Sequence, residues 1–271
     1  MPELPEVETI KNELAPMVTG RRIKSVEFLW AKTLLSPSVA EFESRVKGRC
    51  ITELARRGKY LILRLDSGDS ILVHLRMTGS FLVSKNTELP DSHTRAVIHL
   101  DDGSNMFFID PRKFGKFQLV RSEDVKALSK LGPEPLSASL TAESLAAQLA
   151  GHKIPIKAVL VDQEVVVGIG NMYADEALYE SRIHPLRIAD SLSSEEIKRL
   201  HRAIRHVLKE AIENKGASIS NYFRPAGGKG TAHMEFKVAH RMGEECPACG
   251  GPIERIVVRQ RGTYFCPSCQ A

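Results

Sequence analysis

CPACGGPIERIVVRQRGTYFCPSC, residues 246–269, is the stretch of this 271-residue chain that most firmly dictates a structural element. Cys246 and Cys249 form one Cys-x-x-Cys pair, Cys266 and Cys269 a second, and sixteen residues lie between the pairs. Each pair sets two sulfurs at the spacing of a tight metal knuckle, and four thiolates satisfy a tetrahedral Zn²⁺. No basic-then-apolar segment of the secretory type is seen, so two disulfides are the poorer account of these cysteines. One structural zinc ion is expected, in a closed site that holds shape and leaves no open position for chemistry. Residues 254–265, ERIVVRQRGTYF, read as a two-stranded hairpin tipped by Arg259 and Arg261, a width that suits a nucleic-acid backbone or groove. A ribbon that binds protein is the alternative at this point. The fifth cysteine, Cys50, stands alone and reads as a small buried hydrophobe.

Outward from the ribbon, charge is the next signal. The chain carries a net +5, and from Lys215 to Arg261 eight Lys and Arg stand against four Glu, so +4 of that excess lies in this short span. Such clustering is an electrostatic footprint for a polyanion, with a solvated basic surface as the bland alternative. Hydrophobic content of 42% and charged content of 26% are those of a soluble globular protein, and no long uncharged apolar run is present. Membrane insertion and secretion are therefore not expected, and a cytoplasmic location is.

The first third reads as β structure after an opening helix. Residues 60–77, YLILRLDSGDSILVHLRM, split by an Asp-Ser-Gly-Asp turn, and 95–109, RAVIHLDDGSNMFFI, split around Asp-Asp-Gly-Ser, read as hairpins, and 22–30, RIKSVEFLW, as a further strand. A sandwich or barrel ending near Val120 follows. A short helix (Glu123 to Leu131) and the Pro-rich GPEPLSASL come next, and then the period turns helical. The clearest helix begins at Ser193, with Glu196 closing a capping box; Ile197, Leu200, Ile204, Val207, Leu208 and Ala211 form its buried stripe, and Gly216 stops it. The expected fold class is α+β: an N-terminal β-sandwich domain with flanking helices over 1–132, a linker over 133–145, a helical domain over 146–232, and a Cys₄ zinc ribbon over 233–271. The Gly- and Ser-rich residues 216–233 are expected to form a loop.

The chain opens MPELPEVET. Pro5 would occupy the first helical position, with Glu6 and Glu8 complementing the helix dipole, but that leaves Pro2 and Glu3 unexplained. Proline is the only residue whose α-amine is secondary. Freed of Met1, Pro2 could attack an electrophilic carbon and form an iminium, because an α-amine has a pKa of about 7.7–8.0 and is partly unprotonated at neutral pH. Glu3 beside it could donate or relay a proton, with Glu6 as a second acid one turn on. Helix initiation remains the competing reading of the same residues.

Taken together, PELPEVET at the start, GKYL at 58–61, HLRMTG at 74–79, DPRKFG at 110–115, DQEVVVGIGNMYADEAL at 162–178 with His184-Pro185, and the terminal ribbon ending FCPSCQ occur in an order that resembles the bacterial formamidopyrimidine-DNA glycosylase (8-oxoguanine DNA glycosylase) family over essentially the full length. The resemblance implies a helix–two-turns–helix in the second domain. It implies Pro2 as the nucleophile on C1′ of the damaged nucleotide, Glu3 as the acid that protonates the opening sugar, Glu6 as a supporting carboxylate, and Lys59 as the lysine that contacts the lesion's phosphate and base. Met77, Arg112 and Phe114 match side chains that fill the gap left by a flipped base, with Phe114 as the wedge, a task that acting on C1′ requires. Without the resemblance, Met77 and Phe114 read as core residues and Arg112 as a surface charge. His74, Lys157 and Asn171 match phosphate contacts, Arg261 the zinc-hairpin arginine, and 217–231 the lesion-recognition loop. The implied activity is a bifunctional glycosylase/AP lyase that removes oxidised purines from duplex DNA in base excision repair, acting as a monomer with zinc as its one structural cofactor.

Two departures from the family pattern stand out. Val238-Ala239-His240-Arg241 replaces the usual Val-Tyr-Gly-Arg, and Ser220 stands where an arginine is common. Both bear on fine lesion preference. The rival readings are the sister endonuclease VIII type, which prefers oxidised pyrimidines and usually opens with glycine where Leu4 stands, and a non-catalytic zinc-ribbon DNA-binding protein, which has no need of a free terminal proline.

Overall fold

The computed structural model describes residues 1–85, 92–121, 126–219 and 223–271. Contacts divide the chain into two compact units, one of residues 1–129 with 215–231, the other of 130–214 with 232–271. Among the described residues no helix is long and apolar enough to cross a membrane.

In the first unit, helix α1 (Leu4–Val18) begins one residue earlier than the position of Pro5 suggested, with Glu3 as its N-cap. Val7, Ile10, Leu14 and Val18 recur at helical spacing and are fully buried. Strands β1 (Ile23–Phe28), β7 (Thr94–Leu100), β8 (Asn105–Ile109) and β6 (Ser80–Ser84) form a four-stranded antiparallel sheet in that order. A second sheet runs β2 (Leu34–Ser36), β9 (Lys116–Arg121), β5 (Asp69–His74), β4 (Tyr60–Leu65), β3 (Ile51–Arg57), with only the β2–β9 pair parallel. Both predicted hairpins are present as β4–β5 and β7–β8, and helix α2 (Val39–Val46) packs alongside. The two sheets and α1 share one core, in which Phe81, Phe108 and Phe117 meet with ring centroids 5.0–6.2 Å apart. Cys50 differs from its expected place: it sits half-buried at a single bridge to Arg22, where the sheet ends before the core is sealed.

The second unit is helical. Helix α3 (Lys126–Ser129) closes the first unit and covers part of the short helix expected from Glu123, whose first residues lie outside the described ones. Helices α4 (Ala142–Leu149), α5 (Ile156–Leu160), α6 (Asn171–Glu180) and α7 (Ser194–Glu213) follow. The capping box of α7 is formed by Ser193 and Glu196, and its predicted stripe is buried throughout. The Pro-rich stretch before α4 is not a free connector. Arg205 on α7 donates to the carbonyls of Pro135 and Ser137, and His201 Nε2 lies 2.7 Å from the Leu140 carbonyl oxygen, so the stretch is laced to α7. Conversely, 215–231, grouped with the helical domain on sequence, packs with the first unit. The ribbon hairpin is β10 (Glu254–Val258) and β11 (Arg261–Phe265), joined by Arg259 and Gln260, both at positive φ as a two-residue hairpin turn requires.

Candidate functional site

In the first unit the site is built around the start of α1. Pro2 and Glu3 are buried, while Met1, which acylates the Pro2 nitrogen, is 45% exposed. Glu6 is 1% exposed, and each of its carboxylate oxygens takes one main-chain donor: Oε2 accepts the Glu3 N–H at 2.7 Å and Oε1 the Ala217 N–H at 2.8 Å. The residue two places from Met1 is thus tied through one carboxylate to a segment more than 200 residues later. Gly216 makes that approach possible, because a Cβ there would lie 2.9 Å from the Glu6 side chain.

Lys59 is 6% exposed, in the turn between β3 and β4. Arg56 clips this turn to α1, its Nε donating to Glu8 Oε2 at 2.7 Å and its Nη1 to the Gly58 carbonyl at 3.0 Å. Burial pushes the Glu8 carboxyl up, but Lys11 and Arg56 outweigh it and hold the group below the usual carboxylate range. Across β4–β5, His74 sits edge-on to Tyr60 with ring centroids 4.7 Å apart. Burial, helped by the cations Arg76 and Lys59, pushes the imidazole down to about 3, so it is neutral at physiological pH. Its Nδ1 accepts the Arg76 N–H at 3.0 Å, which assigns the proton to Nε2.

Met77, Arg112 and Phe114 lie on two loops locked together by one residue that sequence reasoning missed. Asp110 is fully buried; it accepts from the Thr78 hydroxyl, from the Arg112 N–H at 3.3 Å and from the Gly115 N–H at 2.7 Å. An Asp opening a Pro-Arg-Lys-Phe-Gly turn is the kind of local cue that could have marked it. The bracket leaves Met77 41% and Phe114 47% exposed, so neither belongs to the core, and Arg112 stacks its guanidinium 4.9 Å from the Phe114 ring centroid. Gly115 is required there, because a Cβ would lie 2.4 Å from the Phe108 ring.

In the second unit, the turns between α5 and α6 are wound around Gln163, which accepts from the Gly168 N–H and donates to the carbonyls of Val161 and Ile169. Asn171 opens α6, and its Nδ2 donates to the Gly262 carbonyl at 2.8 Å. Asn171 and exposed Arg261, both expected at DNA, are thereby neighbours. Lys157 is placed differently from the phosphate contact expected of it. Its side chain is 1% exposed, and its ammonium donates to the Asn171 carbonyl at 2.6 Å and to Asp175. Burial pushes the Asp175 carboxyl up to about 7, with Lys157 pulling the other way, as expected of an internal ion pair. Lys157 therefore shapes the start of α6 from inside.

The four cysteine sulfurs lie within 4.8 Å of one another, with Cys246–Cys269 at 3.8 Å and Cys249–Cys266 at 3.5 Å. A tetrahedron of sulfurs about 2.3 Å from a zinc ion has edges of roughly 3.8 Å, so the set fits one structural zinc. The Tyr179 Oη stands 3.3 Å from Cys246 Sγ, placed to donate to a thiolate. Two further residues with no sequence signal hold the ribbon in place. Glu176 accepts the N–H groups of Lys237, Val238 and Ala239 at 2.7–2.9 Å, and Gln270 accepts the Cys266 N–H while donating to the Ile183 carbonyl. At the departure from the family pattern, Ala239 is buried, Arg241 is engaged by Glu244 and the carbonyls of Phe236 and Lys237, and His240 sits at φ +64° with its ring 5.4 Å from Tyr264. The other departure, Ser220, lies outside the described residues, as do Asn221 and Tyr222 of the expected lesion loop.

Comparison with known proteins agrees along the whole chain. Family models describe residues 1–117 as a formamidopyrimidine-DNA glycosylase N-terminal domain, 131–222 as the H2TH domain of the same enzymes, and 243–271 as a zinc finger found in FPG and IleRS. The formamidopyrimidine-DNA glycosylase of Chloroflexus aurantiacus is 47% identical, over 100% of this chain and 98% of its own length. The crystal structure of the MutM (Fpg) protein from Thermus thermophilus superposes with a TM-score of 0.90 at 42% identity, covering 99% of this chain and 98% of that one. A Lactococcus lactis Fpg in complex with DNA containing an abasic site gives 0.92 at 33% identity, covering 99% of each chain. The chain belongs to the formamidopyrimidine-DNA glycosylase family of DNA-repair enzymes.

Proposed function

We propose that this enzyme excises oxidised purines, 8-oxoguanine and formamidopyrimidines, from duplex DNA as a monomer, and then cleaves the strand at the resulting site through a Schiff base on Pro2. The observation that carries this reading is the arrangement at the start of α1, where Glu6 ties the Glu3 N–H to the Ala217 N–H beside buried Pro2.

Removal of exposed Met1 converts the Pro2 amide into a free secondary amine. That nitrogen attacks C1′ as the bond from C1′ to the base breaks; the amine gives up its proton, and the base takes up one and leaves neutral. The sugar ring opens as Glu3 delivers a proton to O4′, which leaves an iminium between Pro2 and C1′. Loss of a C2′ proton expels the 3′ phosphate, and loss of the C4′ proton then expels the 5′ phosphate. Hydrolysis of the iminium returns the amine. Lys59 supplies a cation at the lesion's phosphate. Neutral His74 and Asn171 donate to backbone phosphates, and Arg261 adds charge at the ribbon tip. The nucleotide must leave the stack for C1′ to be reached, and the exposed pair Met77 and Phe114 suits the vacated space, with Arg112 as donor to the orphaned base.

Borohydride trapping tests this. Protein confirmed to begin at Pro2, loaded with zinc, is incubated with an 8-oxoguanine:C duplex and sodium borohydride, and the adduct is located by peptide mass spectrometry. The expected result is an adduct on Pro2, absent in Pro2→Gly and in protein that retains Met1. Intact DNA without adduct overturns the proposal, and preferential excision of thymine glycol over 8-oxoguanine assigns the enzyme to oxidised pyrimidines instead.

A further inference from the structure

Among the described residues, the segment 215–231 is anchored to α1 at two points, and the second has no place in the chemistry above. The first is Glu6, at the stem, where Ala217 and Thr231 also form a bridge and the Gly230 N–H donates to Ser218 Oγ at 2.9 Å. The second is Glu13, seven residues further along the same helix. Its Oε1 takes the Arg224 guanidinium, with Nη2 at 2.5 Å and Nε at 2.7 Å, and its Oε2 accepts the Ala226 N–H at 3.2 Å. Seven residues are about two helical turns, roughly 10.5 Å of rise, so Glu6 and Glu13 lie along one face of α1 like two posts.

Three features show that the outer post holds the turn and is not an incidental surface contact. Both partners are largely buried, with side chains 14% exposed for Glu13 and 24% for Arg224. The turn itself is tight: the Gly227 N–H donates to the Arg224 carbonyl at 2.9 Å, and Gly227 and Gly228 both sit at positive φ. One side of it is open: Pro225 is buried, but Arg224, Gly227 and Gly228, with Phe223, line a cavity of about 520 Å³ against Thr78, Ser80 and His93. On that open side the turn is held by its polar anchors, and a carboxylate that receives a guanidinium and a main-chain N–H makes charge-assisted bonds, stronger than neutral ones.

We infer that Glu13 is a positioning residue: by clasping Arg224 and Ala226 it holds the 223–228 turn in the arrangement needed while a damaged base is bound and removed. The inference rests on the proposed function and on the family resemblance, which matches 217–231, the segment containing this turn, to the lesion-recognition loop. Cleavage at a preformed abasic site involves no base and does not need the turn.

The test compares Glu13→Gln, Arg224→Ala and the double variant, each processed to Pro2, on an 8-oxoguanine:C duplex and on a duplex carrying a preformed abasic site. Each single change is expected to lower kcat/KM for base excision about tenfold, since one anchor carries both partners. Abasic-site cleavage is expected to stay within about twofold, and the double variant to be no worse than the singles. Arg224→Lys, which keeps the charge and loses the fork, is expected to recover only part of the loss. Hydrogen exchange at the Ala226 amide is read in parallel and is expected to speed up in Glu13→Gln. Unchanged exchange and excision in Glu13→Gln, an equal fall in both activities, or fully additive effects each overturn the inference. If the unaltered enzyme cleaves neither duplex, the proposed function fails, and the exchange measurement alone then decides whether the clasp holds the turn.

Discussion

Glu6 in the first unit and Glu176 in the second are both carboxylates on helices, both nearly inaccessible to solvent, and both reach main-chain N–H groups of a segment far away in sequence, Glu6 with one oxygen and Glu176 with both. Glu6 takes one donor on each oxygen; Glu176 takes Val238 and Ala239 on Oε1 and Lys237 on Oε2. Their surroundings separate them. Glu6 faces the first residues of the chain, where a nucleophile and an acid are proposed. Glu176 faces the segment leading into the zinc ribbon, and burial pushes its carboxyl up despite the three donors. Helix-borne carboxylates reaching to remote amides thus recur as joints in this molecule, and at Glu6 the joint adjoins the proposed chemistry.

The sharpest break in the comparison should come at Glu176. Glu176→Ala strands the buried N–H groups of Val238 and Ala239 and leaves the half-buried one of Lys237 to solvent; at about 1–3 kcal/mol for each buried donor, a loss of about 2–6 kcal/mol in unfolding free energy is expected. Denaturant unfolding of zinc-loaded protein would measure it. Abasic-site cleavage at saturating DNA should be nearly unchanged where the variant is still folded. A variant as stable as the parent would mean that solvent replaces the carboxylate and that the joint is not structural.

Glu6→Gln should behave in the opposite way. A Gln amide keeps one acceptor oxygen and turns the other position into a donor, so one of the Glu3 and Ala217 N–H groups loses its partner. The expected stability cost is about 1–2 kcal/mol. The expected cost in single-turnover excision is larger, about a hundredfold, or roughly 2.7 kcal/mol of barrier, because the unpaired donor stands next to the proposed nucleophile and acid. Equal losses in stability and rate would make Glu6 a second structural joint and remove the contrast with Glu176.

The same contrast shows what could be read from residues alone. The capping box of α7, the two hairpins split by Asp- and Gly-bearing turns and the Cys₄ ribbon were legible because each depends on neighbours within a few residues, or on an unusual residue type at fixed spacing. Pro2, Glu3 and Glu6 were noticed because a terminal proline is chemically odd. Glu176 and the Glu13 clasp were invisible because their partners are main-chain amides or residues brought close only by folding, whereas Asp110 left a local cue in its turn that went unread. An amide leaves no letter in the sequence. Lys157 shows a related limit: nothing local distinguishes a lysine that meets Asp175 inside the protein from one that meets a phosphate.

The smallest expected effect concerns pH and sets His74 beside the two carboxylates as a group held neutral by burial. Its folded pKa of about 3 lies below the ordinary value of 6.5. Above pH 6.5 the folded and unfolded chains are both unprotonated at this position, and His74 adds no pH dependence. As pH falls below 6.5 the unfolded chain binds a proton that the folded chain refuses, so stability declines progressively toward pH 3. The slope cannot exceed about 1.4 kcal/mol per pH unit for one proton, and solvent reaching the half-buried ring should keep it well under that. His74→Gln retains a donor and cannot titrate, so its unfolding free energy between pH 4.5 and 6.5 should fall less steeply than that of the parent. Parallel profiles for the two proteins would mean that the imidazole accepts its proton in the folded state after all. Its Nδ1 would then have given up the Arg76 N–H, and a cationic His74 could bind phosphate by charge, not only by the single donor on Nε2.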